Sequence, residues 1–252
     1  MEKLLRPRIV GVIPARLASS RFPEKVLARE TGKALVVHVL EAARQARSLD
    51  EVVVAADDRR ITDVVEAAGG HAVLTRVDHP NGTSRLAEVA SVVPADVFVN
   101  IQGDEPEMEP EVIDATVELL LASPWADVAT VATPFTENES IDDPNLVKVV
   151  LGEGGRALYF SRAPIPFHRD RASGRTPRAT PLRHVGLYVY RSAFLRQFVS
   201  WPVAPLEETE SLEQLRVLEH GHGIAVAVRP VQSQGIDTPE QYAAFVRRHR
   251  SR

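Results

Sequence analysis

The sequence predicts an α/β protein with a mostly parallel sheet, helices on both of its faces, and a smaller lobe inserted or appended. Two observations lead there. Apolar runs at residues 9–13, 52–56, 72–74 and 97–101 alternate with helical patterns at residues 34–47, 59–68 and 83–93. Strands that alternate with helices in this way pair in parallel. Beyond residue 133 the alternation becomes irregular, and that stretch predicts the lobe, at about residues 155–215 of a single domain spanning 1–252.

Taken in order, Ile9-Val10-Gly11-Val12-Ile13 reads as a short buried strand. Three strand–helix repeats follow it, and residues 127–133 add a further strand. Residues 146–151 read as another, closed by the turn Gly152-Glu153-Gly154-Gly155. The stretch 169–181 is polar and rich in helix and strand breakers, which predicts a mobile excursion. A strand at 184–190, a long amphipathic helix at 205–220 and a core strand at 224–228 come next. Thr238-Pro239-Glu240 opens a terminal helix, with Thr238 as its cap and Pro239 at its first position. There is no internal repeat and no linker.

Composition narrows the function classes. Hydrophobic content of 44% and charged content of 25% are ordinary for a water-exposed globular fold. A net charge of −4 supplies no basic field for nucleic acid, so a small phosphorylated ligand is favoured over DNA or RNA. The absence of cysteine excludes disulfides, thiolate metal sites and cysteine nucleophiles. No run approaches 18 apolar residues, and Lys3, Arg6 and Arg8 surround only Leu4 and Leu5 near the start. The expectation is therefore a cytoplasmic protein without a membrane partner.

The chemistry concentrates in two loops. After the first strand the chain runs Ile13-Pro14-Ala15-Arg16-Leu17-Ala18-Ser19-Ser20-Arg21-Phe22-Pro23-Glu24-Lys25. Strand, cationic small-residue loop, helix is an arrangement that holds phosphates, with arginine forks supplying charge where a glycine-rich loop would supply amides. After the fourth strand comes Asn100-Ile101-Gln102-Gly103-Asp104-Glu105-Pro106. In a doubly wound sheet the first and fourth strands are neighbours, so this loop faces the cationic one across a cleft. A carboxylate there suits Mg²⁺, which bridges protein and phosphate oxygens; the plainer role is a turn acid capping the next helix. Asp104 is the better ligand, because Glu105 precedes a proline. Asp78-His79-Pro80-Asn81-Gly82-Thr83-Ser84-Arg85 opens a helix, with Thr83 or Ser84 as its cap, and reads either as a nucleobase or ribose contact or as an ordinary connection.

These segments, together with residues 159–166, 183–190, 212–218 and 235–239, resemble the successive signatures of 3-deoxy-manno-octulosonate (Kdo) cytidylyltransferases, also called CMP-Kdo synthetases. The resemblance runs in order from about residue 8 to 250. It implies a Rossmann-like nucleotidyltransferase with a smaller dimerisation lobe, a homodimer, and the reaction CTP + Kdo → CMP-Kdo + diphosphate, for lipopolysaccharide or cell-surface polysaccharide biosynthesis. It places Arg16, Ser20, Arg21 and Lys25 on the CTP phosphates, with Pro14, Ala15, Gly82, Arg85 and Asp104 completing the nucleotide site. Arg16, Arg21, Lys25 and Asp104 then carry the catalysis, and Asp104 and Asp237 hold Mg²⁺. The sugar acid falls to Gln102, Arg162, His184, Tyr188, Glu213 and Gln214.

Read without the resemblance, several of these residues keep a second role. Asp237 is part of a good helix start, Arg162 is an arginine before a proline bend, and His184 is a histidine in an alternating strand. Glu213 and Gln214 lie mid-helix in a charge run that is mostly a solvated face. The chain departs from the family where Glu24-Lys25-Val26-Leu27 replaces Gly-Lys-Pro-Leu and where Ser84 replaces a common Glu. The same reaction on 8-amino-Kdo or a sialic acid, and a noncatalytic nucleotide-binding protein, are the competing readings. A dinucleotide-dependent dehydrogenase is disfavoured, because no G-x-G-x-x-G follows the first strand.

Overall fold

A computed structural model describes residues 6–169, 179–233 and 235–251. It divides into two compact units. The first contains residues up to Asp114, then Val189–Val199 and Val231–Arg252; the second contains Ala115–Tyr188 and Ser200–Pro230.

In the first unit, strands β1 (Ile9–Ala15), β2 (Glu51–Ala56), β3 (His71–Leu74) and β4 (Val97–Asn100) lie in the order β3-β2-β1-β4. All three pairings are parallel, with Val12 opposite both Val53 and Asn100. β1 is shielded on both faces, and Val10, Val12 and Ile13 have no exposure. A near-continuous apolar run is what a strand covered on both sides requires.

Helices α1 (Leu35–Ala43), α2 (Arg59–Ala67) and α3 (Gly82–Val92) follow the first three strands. The side chain of Asp58 caps α2 by accepting from the Arg60 N–H. Asn81 caps α3, its Oδ1 accepting from the Ser84 N–H at 2.8 Å. The capping residue is thus Asn81, two positions ahead of Thr83 and three ahead of Ser84, the caps expected, because Gly82 already has helical backbone.

Helix α4 (Pro110–Ala122) leads into the second unit, where β5 (Val128–Pro134) and β9 (Ile224–Val228) pair in parallel. There β6 (Lys148–Leu151) pairs antiparallel with both β7 (Ala157–Ser161) and β8 (Leu182–Arg191). This unit is mixed, whereas β1 to β4 of the first pair only in parallel with one another. Residues 170–178, most of the expected 169–181 excursion, lie outside the described residues.

After β8 comes α5 (Ser192–Phe198). The single long helix expected over 205–220 is two, α6 (Pro205–Glu210) and α7 (Leu215–Glu219). Ser211 breaks it with a left-handed backbone, φ 51°, while the Leu212 N–H returns to the Glu207 carbonyl at 3.2 Å. Glu213 and Gln214 therefore sit in the turn between helices rather than mid-helix. The charge run is also less solvated than its composition implies. Glu207 is buried and takes a two-point ion pair from Arg216 (Nε–Oε2 2.7 Å, Nη2–Oε1 2.8 Å). A buried carboxylate persists only when paired in this way.

The terminal helix α8 (Pro239–Arg250) starts as expected, the Thr238 hydroxyl accepting from the Gln241 N–H. Its Tyr242, Phe245 and Val246 close a small core with Leu35 and Ile236, against which Phe22 packs. This core anchors Ile236 and Phe22, and so fixes the chain on either side of the chemistry described next.

Candidate active site

A cavity of about 380 Å³ opens in the first unit, beyond the carboxyl ends of β1 and β4. Arg16, Ser19, Ser20, Arg21 and Lys25 line one side of it; Gln102, Gly103, Asp104 and Asp237 line another. His79, Asn81, Gly82 and Arg85 from the start of α3 complete the rim. The two loops expected to face each other do so. Their approach is close enough to require glycine at 103, because a Cβ there would lie 2.4 Å from the Pro14 carbonyl oxygen.

Lys25 organises the charges. Its ammonium donates to Asp104 Oδ2 at 2.7 Å, to the Ile236 carbonyl at 2.7 Å and to Asp237 Oδ1 at 3.1 Å. An ammonium has three N–H groups, and all three are committed. Arg21 pairs with the other oxygen of Asp237 at 3.0 Å, but its side chain is 65% exposed against 12% for Lys25. Arg16 is exposed and has no ion-pair partner among the described residues. The backbone ties the acids together as well: the Ile236 N–H donates to the Asp104 carbonyl at 2.9 Å. Glu105, by contrast, is buried and accepts from the Ser233 hydroxyl, so it faces away from the cavity.

Asp57 is a site residue that motif reading missed. It follows β2 directly, and its Oδ1 accepts the Leu17 N–H at 2.9 Å. Its Oδ2 lies 3.6 Å from the Arg85 guanidinium, with both side chains under 8% exposed. Arg85 also donates to Thr75 Oγ1 at 2.6 Å and to the Arg76 carbonyl at 2.9 Å. Burial pushes the Arg85 pKa down, and the Asp57 charge opposes that shift. Arg85 thus reaches the cavity wall while its guanidinium is largely occupied as a tether for the cationic loop. The available signal for Asp57 was its place at the carboxyl end of a strand neighbouring the first, where parallel sheets build their sites.

Glu24, the departure beside Lys25, has a left-handed backbone (φ 55°) and turns its carboxylate to Arg60 at 2.8 Å. Its charge is answered at the surface, not beside the ammonium. The family's glycine at this position has a physical reason in that φ.

The remaining sugar-acid candidates belong to the second unit. His184 Nε2 lies 2.9 Å from Thr130 Oγ1, whose proton goes to the Leu187 carbonyl at 2.8 Å. The imidazole is therefore the donor to Thr130, which leaves Nδ1 as an acceptor. Burial, aided by the Arg183 charge, pushes its pKa down to about 3. His184 is thus neutral, with Phe160 edge-on at 5.1 Å and Tyr188 at 5.3 Å.

Arg162 gives three of its five N–H groups to the carbonyls of Glu210, Pro144 and Ser211, at 2.7, 2.9 and 3.2 Å. Among the described residues the other two donors meet no acceptor, which leaves them for a ligand. The Glu210 carboxylate holds the Arg162 backbone N–H at 2.9 Å and the Ser161 hydroxyl at 2.6 Å. Glu213 lies 3.9 Å from Arg216, and Gln214 is buried just ahead of α7.

A family model described as cytidylyltransferase matches residues 10–224. The chain belongs to the cytidylyltransferase family. It is 50% identical over 242 residues to the 3-deoxy-manno-octulosonate cytidylyltransferase of Syntrophobacter fumaroxidans, covering 95% of this chain and 96% of that one. To the enzyme of the same name from Syntrophotalea carbinolica it is 50% identical over 236 residues, 92% and 94% of the two chains. The solved structure of CMP:2-keto-3-deoxy-manno-octonic acid synthetase complexed with CTP superposes with a TM-score of 0.90 at 39% identity, covering 97% of this chain and 99% of that one. The family assignment makes the chain a nucleotidyltransferase and fits the α/β fold. Among the described residues no helix is long and apolar enough to cross a membrane.

Proposed function

We propose that this chain transfers a cytidylyl group from CTP to a hydroxyl of 3-deoxy-manno-octulosonate, releasing diphosphate. The observation that carries the reading is the convergence of Arg16, Arg21 and Lys25 with Asp104 and Asp237 on one cavity. Kinship at 50% identity with enzymes named for this reaction supports the sugar acid.

Attack by a hydroxyl on the α-phosphorus expels a diphosphate, so the protein's work is alignment and charge neutralisation. Arg16 and Arg21, exposed on a loop held by Asp57, neutralise the β- and γ-phosphate oxygens as the bond breaks. Ser19 and Ser20 add hydroxyl donors on the same wall.

The acid pair fits Mg²⁺. Two hard carboxylate oxygens already converge within 3.1 Å of one cationic nitrogen, the arrangement a divalent ion would take over. Asp104 and Asp237 would hold the ion, which would supply charge neutralisation and lower the pKa of the attacking hydroxyl. Arg162, with two donors free among the described residues, suits the sugar carboxylate, and neutral His184 with Tyr188 suits its hydroxyls. The same reading makes the protein cytoplasmic and, as the resemblance to that family implies, a homodimer, and light scattering checks the stoichiometry.

Diphosphate release from CTP and Mg²⁺ tests the reaction, with and without the sugar acid and with ATP, GTP and UTP as controls. Release that requires both CTP and 3-deoxy-manno-octulosonate is the expected outcome. Release only with 8-amino-Kdo or a sialic acid would replace the substrate, and CTP binding without any release would overturn the enzymatic reading.

A further inference from the structure

We propose that Lys25 is a built-in counter-ion that holds the Asp104–Asp237 pair in the position of a divalent cation, and that metal and nucleotide displace it cooperatively. The inference rests on the reading of that pair as the metal-binding acids and deepens it. Three observations carry it. The ammonium sits between the two carboxylates at 2.7 and 3.1 Å, and its third proton is on the Ile236 carbonyl. With every donor committed inside the protein, it has none left for a phosphate until one of these bonds breaks. The side chain is only 12% exposed, so water does little to weaken the contacts.

The backbone shows which part moves. Lys25 begins a short turn closed by the Leu27 N–H on the Glu24 carbonyl at 2.9 Å and the Ala28 N–H on the Lys25 carbonyl at 3.1 Å. Asp104 is tied to Ile236 through the backbone, and Ile236 is buried against α8. The acids are thus fixed, and the long lysine side chain is the mobile element. Two carboxylates this close would repel in the absence of a cation, and the ammonium keeps the pair assembled without one. A divalent ion therefore competes with Lys25 for the same oxygens. A phosphate gives the displaced ammonium a new partner, so nucleotide and metal each favour the other's binding, reciprocally.

The test measures Mn²⁺ binding to the nucleotide-free protein by the electron paramagnetic resonance signal of unbound Mn²⁺, in wild type, Lys25→Met, Lys25→Gln and Asp104→Asn. Lys25→Met should bind Mn²⁺ about tenfold more tightly than wild type, because a charge-assisted competitor is gone. Lys25→Gln, which keeps a polar side chain without the charge, should show the same gain and decides the matter if Lys25→Met does not fold. Mn²⁺ should also raise the unfolding temperature of both variants more than that of wild type. Equal or weaker Mn²⁺ binding in the folded Lys25 variants, alongside lost binding in Asp104→Asn, overturns the counter-ion role alone. Undiminished Mn²⁺ binding in Asp104→Asn overturns the metal assignment beneath it.

Discussion

The two units handle polar groups in opposite ways. Around the first unit's cavity Arg16, Arg21 and Lys25 remain charged. Two of them are exposed, and the third is flanked by two carboxylates. In the second unit the groups expected to meet the sugar acid are quieted by the protein. His184 is neutral through burial, and Arg162 gives three donors to backbone carbonyls. Under the proposed function the difference matches what each would bind. A triphosphate carries several negative charges, and open cations answer it. A sugar presents neutral hydroxyls, which need fixed donors and acceptors. There a titrating imidazole would alternate between one donor and two.

The largest expected effect breaks the charged side of this comparison. Asp104→Asn keeps the shape and removes a carboxylate charge, and turnover should fall at least about 100-fold with the circular dichroism unchanged. Full activity in that variant would remove Asp104 from the chemistry. Next comes Gly103→Ala, whose Cβ would meet the Pro14 carbonyl oxygen at 2.4 Å. Forcing the loops apart should lower stability by about 1–3 kcal/mol in chemical denaturation and depress kcat as well.

Asp57→Ala leaves the Leu17 N–H without an acceptor and Arg85 without a counter-charge, at a cost of about 1–3 kcal/mol. If Asp57 positions the cationic loop, KM for CTP should rise more than kcat falls; a stability loss with unchanged kinetics would make it merely structural.

His184 sharpens the neutral side through pH. Its pKa is about 3 in the fold against 6.5 as reference. Below 6.5 the unfolded chain binds a proton that the folded chain refuses. The stability His184 contributes is therefore complete above pH 6.5 and erodes as pH falls toward 3. His184→Phe should flatten the dependence of unfolding free energy on pH across that window, and an unchanged slope would mean that the imidazole is not held neutral. Glu24→Gly has the smallest effect. It relieves a left-handed backbone and loses an exposed ion pair with Arg60, so stability should change by less than about 1 kcal/mol.

The cationic loop and the Gln102–Pro106 loop were legible because they follow strands whose neighbours the α/β pattern dictates. The parallel first unit was legible for the same reason. Asp57 was not, because its partners are the amide of Leu17 and a guanidinium on α3, contacts without a local motif. The break at Ser211 was also hidden. Helical periodicity continues through Glu213 and Gln214, and only the inward pull of Glu207 on Arg216 and of Glu210 on Ser161 and Arg162 explains why the chain turns there.

The sequence by itself determined the alternation of elements, the family, and the pairing of a cationic loop with an acidic one. These rest on periodicity and on order along the chain, which local physics sets. Only the tertiary structure decided which partner each charge takes. It placed the Lys25 ammonium between Asp104 and Asp237, gave Arg85 to Asp57 and turned Glu24 toward Arg60. Those choices depend on distances between residues 28 to 212 positions apart. At such separations the folded geometry, and not the order of residues, fixes the electrostatic energy.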